Sequence, residues 1–223
     1  MKPDSRLHPF MGLTLQLEGS VLIPRTETEL LARHAIALLC ESGDEEPQVI
    51  DMCCGSGNLG LAIATAVPGA RVLAADLTDD AVQTARTNAL RLGLSGRVAV
   101  RQGDLFSALE GGSAEGRAAM IVCNPPYIST ARLAGKSAHL LEQEPREAFD
   151  GGPYGVSILQ RVVREAAAFL KPAGFLLFEF GVGQERQAAA LLSRTRAYDI
   201  LDFAADETDQ PRVAIARLRD NAA

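Results

Sequence analysis

Residues 122–129 read VCNPPYIS, so two adjacent prolines separate Asn124 from Tyr127. Proline lacks a backbone N–H and has a fixed φ, so the preceding apolar run, 118–123, must stop as a strand at Asn124 and continue as a rigid corner. A rigid corner can hold the Asn124 side-chain oxygen and the Pro125 carbonyl oxygen in fixed directions.

A second candidate site is the sequence GSGNLG at residues 55–60, which matches the pattern G-x-G-x-x-G. Glycines in this pattern allow a tight turn and a close approach of the backbone to a nucleoside. Asp76 follows Gly55 by about twenty residues, which is the position of a ribose-binding acid. By itself the pattern fits a nicotinamide dehydrogenase as well as an S-adenosylmethionine (SAM) enzyme, and it also occurs in ordinary turns.

Two further acids favour SAM over a dinucleotide. Asp51 precedes Gly55 by four residues, where a carboxylate would repel a pyrophosphate and attract the ammonium of a methionine moiety. Asp104 ends a third predicted strand and can accept a hydrogen bond from an adenine amino group. Each acid has an alternative role as a cap of the turn or helix that follows it.

The elements that must position these residues alternate between strand and helix. We predict strands at 48–54, 71–77, 97–105, 118–124, 175–181, 198–204 and 212–218, and helices at 25–40, 55–67, 78–93, 153–174 and 184–196. Thr26 and Glu29 fit a capping box for the first helix, and Thr78 is a candidate N-cap for the third.

This alternation predicts an α/β fold, a parallel sheet with helices on both faces. The last two strands have no helix between them, which predicts an antiparallel hairpin at one edge of the sheet. Ligands of such sheets bind beyond the carboxyl ends of the strands, near the topological switch point. The strand-ending residues to examine are Asp51, Asp76, Asp104, Asn124 and Glu179.

Composition narrows the class of protein. The chain has 223 residues, the size of one domain, and a net charge of −6, which argues against a nucleic-acid backbone as a main partner. No apolar run approaches the ~20 residues that span a bilayer, and residues 1–10 lack a signal-peptide core, so we expect a cytoplasmic protein with no membrane partner. Residues 40, 53, 54 and 123, the four cysteines, are expected to be small buried residues, and no metal site is predicted.

From about Phe10 to Leu218 the chain resembles the catalytic domain of the HemK/PrmC-type protein-(glutamine-N5) methyltransferases, which are SAM-dependent N-methyltransferases with an N-P-P-Y motif. The stretches that carry the resemblance are VLIPRTETELL (21–31), GSGNLGLAIA (55–64), TNAL (87–90), GDLF (103–106), VCNPPYIS (122–129), EPREAFDGGPYGVSIL (144–159), FEFGVGQ (178–184) and PRVAIARL (211–218). The resemblance implies a Rossmann-like class I SAM-dependent methyltransferase with a seven-stranded, mostly parallel sheet and an antiparallel edge hairpin. It also implies SAM as the cofactor and S-adenosylhomocysteine (SAH) as the product.

The resemblance also implies the site residues. The predicted catalytic residues are Asn124, Pro125, Pro126 and Tyr127. The predicted cofactor-binding residues are Asp51, Cys53, Gly55, Gly57, Asn58, Asp76, Leu77, Gly103, Asp104, Leu105 and Asn124, and the predicted substrate-binding residues are Arg25, Thr26, Glu29, Tyr127 and Glu144. A delocalised nitrogen lone pair is a poor nucleophile, so the Asn124 side-chain oxygen and the Pro125 carbonyl oxygen would hold the nitrogen with its lone pair toward the sulfonium methyl while Tyr127 stacks on the planar group.

The sequence leaves the acceptor of the methyl group open. The resemblance implies the glutamine amide of a peptide-chain release factor. The family's bacterial members carry a small helical domain where this chain has about 20 residues before IPRTETE, and Cys53-Cys54 replaces a Gly and a small hydroxyl residue. These departures keep open an amide, guanidine or amino group of a small arginine- or glutamine-like metabolite. Methylation of a nucleobase comes third.

Outside methyl transfer, a nicotinamide oxidoreductase and a non-catalytic SAM-binding module remain alternatives. We expect residues 1–30 to form a segment that covers the active site and residues 31–223 to form the catalytic domain. Residues 128–152 read as a long loop, and loops of this length are usually functional or mobile, so we interpret it as a substrate lid. The oligomeric state is left open.

Overall fold

The computed structural model describes residues 6–112, 114–142 and 144–220. Its strands are β1 (Arg6–Phe10), β2 (Leu13–Leu17), β3 (Gln48–Met52), β4 (Arg71–Asp76), β5 (Val98–Gln102), β6 (Ala118–Cys123), β7 (Leu170–Glu179), β8 (Tyr198–Ala205) and β9 (Pro211–Leu218). Its α-helices are α1 (Thr28–Glu41), α2 (Asn58–Ala66), α3 (Asp79–Arg91), α4 (Thr130–Ala134), α5 (Ser157–Ala166) and α6 (Glu185–Thr195). Short 3₁₀ helices occupy Leu105–Leu109, Ala138–Glu142 and Arg146–Ala148.

Seven strands form one sheet in the order β5-β4-β3-β6-β7-β9-β8. The first five of these are parallel, and β9 runs antiparallel to both β7 and β8. The predicted fold class, a mostly parallel seven-stranded sheet with an antiparallel edge hairpin, is therefore confirmed. The strand order reverses between β3 and β6, so a crevice lies beyond the carboxyl ends of these two strands.

Alternate residues of the central strands pack on opposite faces of the sheet. Val49 of β3 and Met120 of β6 pack in the core that includes residues of α1, α2 and α3. Their neighbours Ile50 and Ile121 pack in the core that includes residues of α5 and α6. All six residues of β6 are buried, as expected for a strand covered by helices on both faces. This packing fixes the position of the corner that follows β6.

Strands β1 and β2 form a separate hairpin that the sequence reasoning did not predict. The hairpin attaches to α3 through Asn88, whose side chain accepts from the Gln16 N–H at 2.7 Å and donates to the Gln16 carbonyl at 2.9 Å. Asn88 thus pairs with the backbone of Gln16 as a neighbouring strand would, and it holds the hairpin against α3. The chain then runs toward the carboxyl edge of the sheet.

The two helix starts turn out differently. Thr78 caps α3 as predicted, since its side chain accepts from the Ala81 N–H. The predicted capping box of Thr26 and Glu29 is wrong, because the cap position is Glu27 and no side chain caps the helix. Glu29 instead accepts from the backbone N–H of Met11, so a contact with the hairpin segment replaces the local cap.

Two predicted segments have different bounds in the structure. The helix predicted over 153–174 is limited to α5, and β7 already begins at Leu170. Pro172 is tolerated in β7 because the register shifts there: Ala118 pairs with Leu170, whereas Met120 pairs with Phe175. The loop predicted over 128–152 contains α4 and two 3₁₀ helices, so it is a folded segment.

The cysteines differ in exposure. Cys54 and Cys123 are buried as expected, but Cys40 is exposed on α1, and all four thiols are free. In the described ranges, no group of three His, Cys, Asp or Glu side chains is placed to hold a metal ion. The same residues contain no helix with the length and apolar character needed to cross a membrane.

Candidate active site

Two neighbouring cavities lie at the carboxyl edge of the sheet. The larger, of about 350 Å³, is lined by Ser20, Val21, Leu22, Met52, Cys53, Gly55, Ala75, Asp76, Leu77, Thr78, Ala81, Gly103, Asp104, Leu105, Asn124, Pro126, Pro145, Arg146, Glu147, Ala148, Asp150 and Ile158. The smaller, of about 240 Å³, is lined by Leu22, Arg25, Glu27, Asn124, Pro125, Tyr127, Ile128, Leu140, Ala148 and Phe149. We call them the large cavity and the small cavity. Asn124 lines both, so its side chain lies where they meet.

The glycine loop forms one wall of the large cavity. Gly55 and Gly57 have φ values of +53° and +80°, which favour glycine. The Gly55 N–H donates to Asp76 Oδ2 at 2.9 Å, so the acid at the end of β4 holds the loop in place. A Cβ atom added to Gly55 would meet no atom within 4 Å, and its backbone therefore faces open space.

Asp51 lies beneath this loop, fully buried at the end of β3. Its Oδ2 accepts from the Gly60 N–H at 2.8 Å, while its Oδ1 has no partner among the described residues. Burial raises the pKa of Asp51 to about 7, although the Gly60 N–H acts in the opposite direction. Asp51 is therefore an unsatisfied buried acid next to the cavity, although it does not line the cavity.

Asp104, which follows β5, also lines the large cavity. Both of its carboxylate oxygens contact Arg161 Nη1, at 2.9 and 3.0 Å. The next residue, Leu105, lines the cavity with a φ of +52°, a left-handed backbone conformation. The Arg161 contact neutralises Asp104 in part, while the carboxylate oxygens keep lone pairs that can accept an additional donor.

These features fit SAM. The large cavity has the size of a small-molecule site, and its lining is mainly apolar. Of its four acids, Asp76 and Asp104 lie at the ends of β4 and β5, and Glu147 and Asp150 lie in segment 144–150. An acidic site suits a sulfonium and an ammonium and disfavours a pyrophosphate. Of the eleven residues predicted to bind the cofactor, the structure places in the lining Cys53, Gly55, Asp76, Leu77, Gly103, Asp104, Leu105 and Asn124. Asp51, Gly57 and Asn58 lie behind it.

The corner after β6 connects the two cavities. Pro126 lines the large cavity, whereas Pro125 and Tyr127 line the small one. Within the described residues, no donor pairs with Asn124 Oδ1 or with the Pro125 carbonyl oxygen. Asn124 Oδ1 and the Pro125 carbonyl oxygen are therefore acceptors without a partner among the described residues, and both belong to residues that line the small cavity.

The other side of Asn124 is occupied by a hydrogen-bonded chain. Its Nδ2 donates to Thr28 Oγ1 at 3.0 Å, and the Thr28 hydroxyl donates to Glu179 Oε2 at 2.8 Å. Glu179 Oε1 accepts from the Tyr127 hydroxyl at 3.0 Å and from Arg212 Nη2 at 3.3 Å. Arg212 Nη2 also donates to the Tyr127 hydroxyl at 3.4 Å, and Arg212 Nε donates to the Phe180 carbonyl at 3.1 Å.

Burial raises the pKa of both acidic groups in the hydrogen-bonded chain, the Glu179 carboxyl and the Tyr127 phenol. It is the main cause that raises the pKa of Glu179, while the bonds from Thr28, Arg212 and Tyr127 lower it. Burial and the nearby Glu179 charge also raise the pKa of the Tyr127 phenol. Tyr127 is therefore a neutral hydrogen-bond donor at ordinary pH, with its ring in the wall of the small cavity.

The predicted substrate-binding residues are only partly brought together. Arg25 lines the small cavity, and Tyr127 does so as well. Glu144 accepts from Arg25 Nη2 and from the Ile23 N–H at 2.8 Å, and it lines neither cavity. Thr26 and Glu29 also lie outside both linings, with Thr26 exposed and Glu29 bonded to Met11. Glu144 therefore ties segment 21–25 to segment 144–150.

Two members of the hydrogen-bonded chain were missed by the sequence reasoning. Thr28 was treated only as part of a helix, and Arg212 only as part of a strand. Both lie in stretches that carry the family resemblance, and a lone arginine at the start of an apolar strand was the available signal for Arg212. Glu179 was noted as a strand-ending acid without a role.

Comparisons with known proteins show the family of the chain. The family model described as methyltransferase small domain matches residues 28–152. A release factor glutamine methyltransferase of Moorella thermoacetica is 36% identical over 213 residues, which cover 95% of this chain and 72% of that protein. A 4-amino-L-phenylalanine/4-methylamino-L-phenylalanine methyltransferase of Streptomyces pristinaespiralis is 36% identical over 189 residues, covering 83% of this chain and 62% of that protein.

A solved structure supports the fold. A 16S rRNA N2 methyltransferase of T. thermophilus, in complex with AdoMet and guanosine, superposes with a TM-score of 0.69. The alignment covers 98% of this chain and 51% of that one at 20% sequence identity. At this identity the likeness concerns the fold.

Proposed function

We propose that this chain, which belongs to the HemK/PrmC-type family of SAM-dependent protein-(glutamine-N5) methyltransferases, methylates the side-chain amide of a glutamine in a peptide-chain release factor. Family membership makes the chain a SAM-dependent methyltransferase, and the predictions of enzyme class and cofactor are confirmed. The relative from M. thermoacetica carries the release-factor activity in its name, and this supports the proposed acceptor.

One observation carries the proposal: Asn124 lines both cavities, and no donor among the described residues pairs with its Oδ1 or with the Pro125 carbonyl oxygen. We assign the large cavity to SAM and the small cavity to the acceptor group. Bound SAM would supply a methyl group on a positively charged sulfur. The prolines fix the direction of the Pro125 carbonyl, and the Asn124 amide is fixed by its bond to Thr28.

The residues of the corner then orient the acceptor nitrogen. Asn124 Oδ1 and the Pro125 carbonyl oxygen accept its two N–H bonds, which leaves the nitrogen lone pair directed toward the large cavity. The same acceptors stabilise the positive charge that develops on nitrogen. The proton released after transfer leaves to solvent, so the site needs no dedicated base. The Tyr127 ring, in the wall of the small cavity, stacks on the planar group.

We propose roles for the cavity residues on the same basis. Asp76 and Asp104 bind the ribose and the adenine, and Asp51 acts from behind the glycine loop on the ammonium group. Arg25 contacts the acceptor, whereas Glu144 acts through Arg25. Residues 1–30 and 31–223 remain the proposed division of the chain, supported by Ser20 and Leu22 in the wall of the large cavity. A cytoplasmic location remains a prediction.

A second candidate acceptor is an aromatic amine of a free amino acid. The relative from S. pristinaespiralis carries such an activity in its name at the same identity as the release-factor relative. The small cavity offers apolar contacts from Leu140 and Phe149 beside the charged Arg25 and Glu27, which would suit an aromatic ring with a zwitterionic end.

The deciding experiment uses purified protein and SAM with a labelled methyl group. Parallel reactions contain a purified release factor, free glutamine, free arginine and 4-amino-L-phenylalanine. We expect label in the release factor, located by mass spectrometry on one glutamine side chain. A release factor with that glutamine replaced by glutamate is the matched control and should take up no label. Label in 4-amino-L-phenylalanine alone would contradict the proposal and select the second candidate, whereas label in free glutamine or free arginine alone would contradict both.

A further inference from the structure

We infer that Thr28 and Glu179 are positioning residues that set which end of the Asn124 amide faces the acceptor. This inference rests on the proposed function, because it assigns the acceptor nitrogen to Asn124 Oδ1. An amide side chain can present either its oxygen or its NH₂ group at nearly the same position. Only the oxygen can accept an N–H bond from the methyl acceptor, so the wrong orientation would block binding in the reactive pose.

The orientation of the Asn124 amide follows from Arg212, the donor at the far end of the hydrogen-bonded chain. Arg212 has donors and no acceptor, and its Nη2 lies 3.3 Å from Glu179 Oε1. Tyr127 accepts from the same guanidinium, so its own proton goes to Glu179 Oε1 at 3.0 Å. Oε1 therefore acts only as an acceptor.

Thr28 transmits this donor-to-acceptor direction to Asn124. Thr28, Arg212 and Tyr127 oppose the rise in the Glu179 pKa that burial causes, and we take Glu179 as the ionised carboxylate. Oε2 is then an acceptor as well, so the Thr28 hydroxyl donates to it at 2.8 Å. Having given its proton to Glu179, Thr28 can only accept from Asn124, and the group at 3.0 Å must be the Nδ2 amine. Asn124 Oδ1 is left facing the junction of the cavities.

Burial protects this chain from solvent. Thr28 is 1% exposed and Glu179 is fully buried, and the Arg212 side chain is 8% exposed. Water cannot easily replace a missing partner there, so the protein groups alone decide which group donates and which accepts in each hydrogen bond. The chain joins α1, the corner after β6, the end of β7 and the start of β9, which no local motif would bring together.

The substitution Glu179→Gln tests the polarity without changing the shape. Arg212 and Tyr127 need an acceptor, so the Gln oxygen must face them and its NH₂ group must face Thr28. The Thr28 hydroxyl then accepts from Gln and donates to Asn124, which turns the Asn124 NH₂ group toward the acceptor. We expect kcat to fall about 100-fold, the usual loss when an oriented catalytic hydrogen bond is removed.

Thr28→Val and Thr28→Ser form a matched pair. Val removes the hydroxyl at nearly constant size, and we expect a loss of kcat of about tenfold or more. Ser keeps the hydroxyl and should restore most of that kcat. All rates are measured at saturating SAM and saturating release factor, so that a change of affinity does not enter.

A second readout does not require the acceptor. The Asn124 Nδ2 protons are followed by NMR in protein labelled with ¹⁵N-asparagine and are assigned by their absence in Asn124→Asp. In the wild type, the proton donated to Thr28 should exchange slowly with water. Glu179→Gln and Thr28→Val should remove this protection, and Thr28→Ser should keep it.

The outcomes separate the inference from the proposed function. Lost protection together with lost kcat supports the inference. Protection that persists in Glu179→Gln, or a kcat within twofold of the wild type, overturns it even if the variant is less stable. If the wild type methylates no release factor, the proposed function fails, and the NMR result alone decides whether Thr28 and Glu179 orient Asn124.

Discussion

The backbone N–H of Gly60 donates a 2.8 Å hydrogen bond to Asp51 Oδ2, and it leaves Asp51 Oδ1 buried without a partner among the described residues. The bond fastens the end of β3 to the first turn of α2. A buried carboxylate with one unused oxygen is costly to ionise, which is why the pKa of Asp51 is raised to about 7. Asp51 Oδ1 is therefore a buried acceptor without a partner behind the glycine loop.

This pKa predicts a pH dependence of cofactor binding. Asp51 is mainly neutral below pH 7 and mainly ionised above it, and only the ionised form attracts an ammonium group. The affinity for SAH should rise about tenfold between pH 6 and pH 8. Isothermal titration calorimetry at the two pH values measures the SAH affinity. Asp51→Asn should show no such change, and a flat profile in the wild type would contradict the role assigned to Asp51.

The same group predicts a change in stability. The folded protein holds the Asp51 proton up to about pH 7, whereas the unfolded chain releases it near the ordinary value of 3.8. Folding therefore loses stability as the pH rises through this window. Asp51→Asn cannot ionise and keeps an acceptor for Gly60. The melting temperature of unliganded Asp51→Asn should exceed that of the wild type at pH 8, and the difference should shrink toward pH 4. An equal difference at both pH values would exclude titration of Asp51 as the cause.

Gly55→Ala tests the assignment of the large cavity. The added Cβ meets no protein atom, so it projects into the space assigned to SAM. Gly43→Ala is the matched control, since Gly43 has a similar φ of +68° and equally open surroundings but lies outside both cavities. Each substitution should cost about 1–2 kcal/mol of stability from the left-handed backbone.

Only Gly55→Ala should weaken SAH binding, by about tenfold or more, since a methyl group in a filled site costs on the order of 1–3 kcal/mol. Calorimetric titration of both variants with SAH provides the measurement. Similar SAH affinities for the two variants would place the cofactor elsewhere.

Asn124→Ala should separate binding from transfer. The substitution removes one of two acceptors for the methylated nitrogen, and kcat should fall by about 100- to 1000-fold. The large cavity keeps its glycine loop and its acids, so the SAH affinity should change far less than kcat. A filter assay of methyl transfer and a thermal shift with SAH give the two values. Transfer at the wild-type rate would remove Asn124 from the reaction.

Glu144→Gln tests the tie across the small cavity. Leu22 and Arg25 form one side of this cavity and Ala148 with Phe149 the other, and Glu144 joins these two segments. Loss of the buried charge should loosen the wall and raise the KM for the acceptor about tenfold, with kcat at saturation little changed.

Glu142→Gln is its control, because Glu142 is exposed nearby and lines neither cavity. Steady-state kinetics with varied release factor would show the difference. An unchanged KM in Glu144→Gln would mean that the tie has no part in acceptor binding.

Local patterns in the sequence were sufficient for the parts of the site that lie on one element and its following turn. Thr78 caps α3, Asp76 ends β4, and the two prolines after Asn124 end β6, all as predicted. The bond from the Gly55 N–H to Asp76 was not predicted. In each case the residue acts within a few positions of itself or at the end of a predicted strand. The mostly parallel sheet followed from the alternation of strands with helices, and the edge hairpin from the lack of a helix between the last two predicted strands.

Contacts between residues far apart in the sequence could not be predicted from such local patterns. Thr26 and Glu29 matched a capping box, but the hydroxyl of neighbouring Thr28 bonds to Glu179, which lies 151 residues away. Arg212 reaches the site because β9 is antiparallel, which brings the start of that strand to the edge where the other strands end. The start of β7 around Pro172 was not predicted, again because it depends on a contact distant in sequence. A proline in the sequence indicates a break, and only the pairing of β6 with β7 shows that this segment is a strand.

The antiparallel direction of β9 also affects the order in which the site is assembled during synthesis. Thr28, Asn124 and Glu179 are all translated before Arg212, and Glu179 pairs with β9 at Val213. A nascent chain therefore contains the corner, the hydroxyl and the carboxylate before the cation that balances them has left the ribosome. Ribosome-bound chains stalled before residue 211 should therefore bind no acceptor in the reactive pose.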